Sequence, residues 1–330
     1  MPEGDSVWRA AQQLHGALAG QKLTASDFRV PRFATLNLRG WTVQEVVPRG
    51  KHLLMRLVGP DDERLTIHSH LKMEGSWQVY PPGGRWRKPG FTARCVLRTP
   101  VADAVGFSLG LLDVIKTSEE DKAVGYLGPD LLGPDWDPAE AERRVAAAPD
   151  VPIGVALLDQ RNLAGIGNIY RCEACFLSGI HPASPVAAVA DLPALFADAK
   201  QLLEANLGPG RRTTVLNARG IPAGRAAGRP GYWVYRREHQ PCLRCRTPIR
   251  HGVLGRTVPR SGSPASIPAS GVQGGGARGG GAPGAGLPGT GLPAGTPARI
   301  PAEGIPELVT EERDIYFCPK CQPLLATAGT

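Results

Sequence analysis

The chain has 330 residues, a formal net charge of +8, 42 glycines and 32 prolines. That much glycine and proline excludes a chain packed throughout into one core. No apolar run approaches the roughly 20 residues of a membrane-crossing helix, which excludes a helical membrane protein.

Taken in chain order, Val7, Ala11, Leu14 and Leu18 recur at helical spacing after Asp5, read as an N-cap, and predict a first helix ending near Gly20. From residue 40 the pattern shortens to strands at 43–47, 52–58, 65–70, 76–80 and 91–97, with a further alternating segment at 105–111. One helix followed by repeated short strands favours a β-sandwich over a βαβ unit. Helices are predicted at 138–148, 153–158, 168–177 and 192–205, the first opened by Pro138 and the third capped by Asn168. Short strands are predicted at 232–235, 249–254 and 315–317. The fold class expected is a multidomain α+β chain. Its N-terminal β-sandwich domain covers 1–136, a helical domain 137–231 and a metal-bearing module 232–325, with a flexible tail at 326–330.

Two stretches stand out by composition. Twelve arginines and a single acid, Glu238, lie between Arg211 and Arg260, which points to a polyanionic partner, most simply nucleic acid. From Ser270 to Arg299 there are twelve glycines, four prolines and no Phe, Tyr or Trp. Such a stretch buries too little apolar surface to offset its ordering entropy, so 260–302 is expected to be a disordered insertion within the metal module.

Seven cysteines, an odd number, fit metal ligands or buried thiols better than a disulfide framework. Cys242 and Cys245, with Cys318 and Cys321, form two C-x-x-C knuckles that supply the four thiolates of a closed tetrahedral zinc site. The long insertion between them is tolerable, because loop-closure entropy grows only logarithmically with length and adds about 1 kcal/mol. The pair Cys172 and Cys175 lies within the helix predicted at 168–177, where Ile169, Cys172 and Phe176 share an apolar stripe, and is read as core. Gly165 and Gly167 make a sharp turn before a helix start, either an ordinary packing turn or a phosphate site. Lys51 stands in a turn beside a strand. His68 and His70 alternate on a strand without a third ligand at matching spacing. Met73, beside Gly75, reads as core or as an exposed apolar wedge. Pro2, if Met1 is removed, becomes a terminal secondary amine next to Glu3, a nucleophile beside an acid/base.

Together these pieces resemble the formamidopyrimidine-DNA glycosylase and endonuclease VIII family, which excises oxidised bases. The resemblance is carried by Met1-Pro2-Glu3-Gly4-Asp5, Arg49-Gly50-Lys51-His52, the segment 158–170, the segment 179–182, and the regions around Cys242 and from Arg313 to Gln322, in family order along nearly the whole chain. It implies that Pro2 attacks C1′ of the damaged nucleotide and that Glu3 serves as acid/base. It gives Lys51 and Arg313 catalytic places and makes Met73 fill the space left in the duplex. Asn168, in a helix-two-turn-helix element, and Arg313, in a zinc-finger β-hairpin, would clamp phosphates. One structural Zn²⁺ per chain is implied, with damaged double-stranded DNA as partner and bubble or single-stranded DNA as further substrates. A monomer acting in the bacterial cytoplasm at the nucleoid is expected.

The opening Met-Pro-Glu-Gly looks more like endonuclease VIII, of an actinobacterial type, than like the purine-specific branch. The activity expected is therefore a bifunctional glycosylase and AP lyase that removes oxidised pyrimidines and cuts by β,δ-elimination. The alternatives are an oxidised-purine glycosylase and a non-catalytic damaged-DNA-binding protein. Ser6 stands where family members commonly carry a glutamate, and Leu111-Leu112-Asp113-Val114-Ile115 replaces the arginine-rich segment of the purine branch.

Overall fold

The computed structural model describes residues 2–217, 231–255, 257–258, 309–310 and 312–325. The insertion expected at 260–302 and the tail expected at 326–330 lie outside these. The chain divides into one unit of Met1–Gly255 with Glu312–Thr330, and a second of Arg256–Glu311. Within the second, the strands Thr257–Val258 (β10) and Val309–Thr310 (β11) pair antiparallel.

In the first unit, helix α1 spans Gly4–Leu18, and Val7, Ala11, Leu14 and Leu18 form its buried stripe. The periodicity located this helix, but Glu3, not Asp5, is its N-cap residue. Eight strands follow: β1 Ala25–Phe28, β2 Thr42–Arg49, β3 His52–Val58, β4 Arg64–His70, β5 Ser76–Tyr80, β6 Ala93–Arg98, β7 Asp103–Phe107 and β8 Leu111–Lys116. They form two four-stranded antiparallel sheets, ordered β2-β3-β4-β8 and β1-β6-β7-β5. Side chains of α1 and both sheets, among them Leu14, Val43, Met55, Ile67, Trp77 and Leu97, build one core. The single alternating segment expected at 105–111 is two strands broken at Ser108, whose φ of +47° turns the chain. Strand β1 carries no alternation to betray it; pairing of Ala25–Phe28 with β6 creates it.

The helices are α2 Glu120–Val124, α3 Pro138–Ala146, α4 Ile153–Ala156, α5 Asn168–Leu177 and α6 Leu192–Glu204. Asp137 caps α3 through hydrogen bonds from the Ala139 and Glu140 amides, and Asp191 caps α6. Helix α5 is buried along nearly its whole length. One side, with Tyr170, Ala174 and Cys175, joins the helical core, while Ile169, Cys172 and Phe176 join a second cluster with Val234, Ile249 and Cys318. Cys172 and Cys175, neighbours at i, i+3, are both fully buried and fall in adjoining clusters, as they can on a helix surrounded by both.

Strands β9 Arg250–Leu254 and β12 Arg313–Phe317 form a hairpin-like pair, with Arg313 opposite Leu254. The strand expected at 232–235 is absent. There the backbone amides of Trp233, Val234 and Tyr235 all donate to the buried carboxyl of Glu173, at 2.7, 2.9 and 2.7 Å, and a chain wrapped around one side chain cannot lie in a ladder.

Candidate active site and metal centre

Glu3 has two roles in the fold. Its backbone begins α1, and its side chain, fully buried, reaches the start of α5. There Oε2 accepts the Gly167 amide at 2.9 Å and Oε1 accepts the Ile169 amide at 2.8 Å. The cap of this helix is therefore not Asn168, the first helical residue, but a carboxylate from the far end of the chain. Two glycines make room: a Cβ on Gly167 would stand 2.5 Å from the Glu3 carboxyl carbon, and one on Gly4 would stand 3.1 Å from Gly165 Cα. The Gly4 amide donates to Gly165 O at 2.9 Å, tying the chain start to the turn.

Burial raises the Glu3 pKa above the ordinary carboxylate value, with Arg212, Lys51 and the Ile169 amide pulling the other way. Arg212 is the main compensating charge. Its guanidinium donates to both oxygens of Asp5, at 2.8 and 2.5 Å, and to Ser6 Oγ at 2.6 Å, and lies over the Tyr170 ring 5.3 Å from its centroid. Asp5 is wholly buried, so this is an ion pair shielded from water. Ser6, where a glutamate is usual in the family it resembles, acts as a neutral acceptor for the same arginine.

Lys51 sits at the tip of the β2–β3 hairpin. Gly50, at φ +57°, allows the tight turn and donates its amide to Asp130 Oδ2 at 2.6 Å; Asp130 Oδ1 accepts the Leu132 amide at 3.1 Å. Arg49 braces the same turn through Asp135 at 2.5 Å and Gly128 O at 3.2 Å. Burial pushes the Lys51 ammonium down to about 8, Glu3 opposes this, and Arg313 and Arg171 add to it by repulsion. Glu3, Lys51 and Arg313 thus share one electrostatic neighbourhood, built from α1, the hairpin tip and β12.

Asn168 and Arg171 bind β12 to α5. Asn168 Nδ2 donates to Asp314 O at 2.9 Å, and Arg171 Nη2 donates to the same carbonyl at 2.7 Å and to Asn168 Oδ1. Arg171 is fully buried and was not anticipated from the sequence, where it reads as one polar position on an amphipathic helix. Arg313, next to Asp314, is exposed. Met73 is 64% exposed on the β4–β5 loop, so its reading as core falls.

The two histidines without a third partner gain one. His52 Nδ1 lies 2.8 Å from His68 Nε2, its Nε2 lies 3.1 Å from Tyr126 Oη, and the His70 ring meets its edge at 4.8 Å. Burial, followed by His70 and His68, pushes His52 down to about 3, which keeps this ring neutral near neutral pH. The strand register brings them together; spacing along the chain could not.

The four cysteine sulfurs of Cys242, Cys245, Cys318 and Cys321 lie within 4.8 Å of one another. The Cys245 and Cys318 sulfurs stand 3.4 Å apart and those of Cys242 and Cys321 3.9 Å. Four thiolates around a tetrahedral ion at about 2.3 Å stand about 3.8 Å apart, so this set can hold a metal.

Residues 1–107 match the formamidopyrimidine-DNA glycosylase N-terminal domain, and residues 127–217 match the formamidopyrimidine-DNA glycosylase H2TH domain. The chain is 53% identical over 257 residues to the probable endonuclease 8 2 of Streptomyces coelicolor, covering 76% of this chain and 87% of that one. It is 44% identical over 250 residues to the DNA-(apurinic or apyrimidinic site) lyase Nei2 of Mycolicibacterium smegmatis, covering 76% and 92%. Its fold is similar to that of Lactococcus lactis Fpg in complex with abasic-site DNA, with a TM-score of 0.64 at 19% identity, over 98% of this chain and 100% of that one. The chain therefore belongs to the formamidopyrimidine-DNA glycosylase/endonuclease VIII family, and with it to the DNA glycosylase/AP-lyase enzymes of base excision repair.

Proposed function

We propose that this enzyme removes oxidised bases from damaged duplex DNA and cuts the strand through a Schiff base on Pro2. The observation that carries the proposal is the Glu3 carboxyl, fixed by three amides at the start of α5 beside Lys51, because it fastens the neighbouring residue, Pro2, at the same place. A target base must leave the stack to be reached, and a lesion lowers that cost. The Pro2 nitrogen then bonds to C1′ as the C1′–base bond breaks, the amine proton passing to the departing base, and Glu3 donates its proton to the sugar ring oxygen as the C1′–oxygen bond breaks and the ring opens to an iminium. Loss of a C2′ proton expels the 3′ phosphate, and a second elimination releases the 5′ phosphate. Lys51 and Arg313 serve as cations beside the reacting strand, Asn168 and Arg313 as its phosphate clamp, and Met73 as the wedge in the vacated stack.

Oxidised purines, formamidopyrimidines first, are the substrate class favoured by the two matching family models, both of formamidopyrimidine-DNA glycosylase. The oxidised-pyrimidine reading rests on the relative described as an endonuclease 8. Single-turnover base release from duplexes carrying formamidopyrimidine, 8-oxoguanine, thymine glycol or 5-hydroxyuracil separates the two. The ion we assign to the four cysteines is Zn²⁺, which would hold β9 and β12, and with them Arg313, in place. We infer a monomer acting in the bacterial cytoplasm on nucleoid DNA. Borohydride reduction in the presence of abasic DNA should trap a covalent complex, lost in Pro2→Gly; active protein that yields no such complex would refute the mechanism.

A further inference from the structure

The end of the β-sandwich that carries Lys51 carries more than the residues assigned above. Register levels Ser76, Phe107 and Ala93 across β5, β7 and β6, so the loops 71–75, 108–110 and 90–92 leave the sheet at the same end. In the facing sheet His70, where β4 ends, lies opposite both Leu111 and His52, the neighbour of Lys51. Hydrogen bonds join the loops: Ser108 N donates to Thr92 O at 2.8 Å, and Gly110 N to His70 O at 3.1 Å.

Two large apolar side chains stand out from this end. Met73 is 64% exposed, and Phe91 is 83% exposed, the most exposed large apolar side chain among the described residues. Phe91 is held out by a firm turn, in which the Thr92 amide and hydroxyl both donate to Pro89 O, at 3.0 and 2.6 Å. Cations flank it. Arg29, whose Nε pairs with Asp27, donates through Nη1 to Gly90 O at 3.2 Å, and Lys88 Nζ donates to Ser76 Oγ at 2.8 Å. Strands β5 and β6 are separated only by β7, so the loops bearing Met73 and Phe91 emerge about 10 Å apart. That is close to three base-pair steps of about 3.4 Å.

The geometry points to Phe91 as a second DNA-contacting side chain, seated against the duplex about three base pairs from the point where Met73 enters it. Lys88 and Arg29 would lie on the neighbouring phosphates. The occupant is duplex DNA because the surface is continuous with the Lys51 end and pairs an apolar ring with cations. Base and sugar edges set between phosphates offer the complement of that pattern. This inference rests on the DNA-repair reading of Lys51 and Met73.

The test measures binding of the full-length chain to duplexes carrying a tetrahydrofuran abasic analogue, lengthened one base pair at a time on each side. The ratio of Phe91→Ala to wild-type Kd should rise about 5- to 10-fold once the duplex passes about three base pairs on one side. Phe91→Trp should restore affinity, and Val101→Ala, exposed at the sheet's other end, should match wild type. Equal affinities of Phe91→Ala and wild type at every length, or a loss independent of length, would overturn the assignment. Absence of a borohydride adduct in wild type would instead defeat the enzymatic reading, while the length series still decides the role of Phe91.

Discussion

The amide of Ile169 donates to the carboxylate of Glu3 at 2.8 Å across 166 residues of sequence, so the start of the chain closes the start of its most buried helix. Glu3→Gln keeps the shape but removes the proton carrier; base release should fall at least about 100-fold. Glu3→Ala leaves the Gly167 and Ile169 amides without their acceptor and should also cost about 1–3 kcal/mol of stability. Single-turnover base release and urea unfolding of the two variants check both parts.

Lys51 should set an alkaline limit. Burial and Arg313 depress its ammonium from 10.5 to about 8, so the folded chain loses this proton before the unfolded chain does. Its contribution to folding stability therefore rises with pH between about 8 and 10.5 and is flat below about 8. With Lys51 acting as a cation, single-turnover cleavage at saturating enzyme should decline above about 8, and Arg313→Gln, which lifts a repulsion, should move that decline upward. A limb unchanged in Arg313→Gln would remove Arg313 from the vicinity of the titrating group.

Arg212 and Asp5 form a buried pair, and breaking it strands a charge. Arg212→Met should destabilise the chain by about 3–5 kcal/mol, whereas the double variant with Asp5→Asn should recover much of that loss. Thermal unfolding of the three proteins measures the coupling. Because Arg212 also holds the Glu3 pKa down and Glu3 must be protonated to donate, the single variant should move the limb on which base release falls with Glu3 deprotonation to higher pH.

Metal removal should act on the β9–β12 pair. Cys245→Ser or chelation should abolish stoichiometric zinc, measured by atomic emission, and weaken DNA binding at least about 10-fold by freeing Arg313. Cys172→Ala, which alters only the packing beneath, should keep its zinc.

Periodicity in the sequence was enough to place α1, α3, α5 and α6, because each shows a full apolar stripe or a cap at its entrance, and enough to place β3 and β5 at their observed bounds. The four cysteines that could hold a metal were equally legible, since C-x-x-C is a local pattern that survives any insertion between its halves. Those features are written within a few residues of one another, and short-range geometry translates them directly.

What only the tertiary structure decided has long-range partners. The Glu3 cap of α5, the Asp130 support of the Lys51 turn, the Arg212 pair with Asp5 and the fixing of Asp314 by Asn168 and Arg171 each join distant residues. Strand register alone put His52 against His68 and Phe91 at the same sheet end as Met73. A buried charge or amide must find a partner wherever the fold brings one within reach, and sequence distance carries no record of that reach.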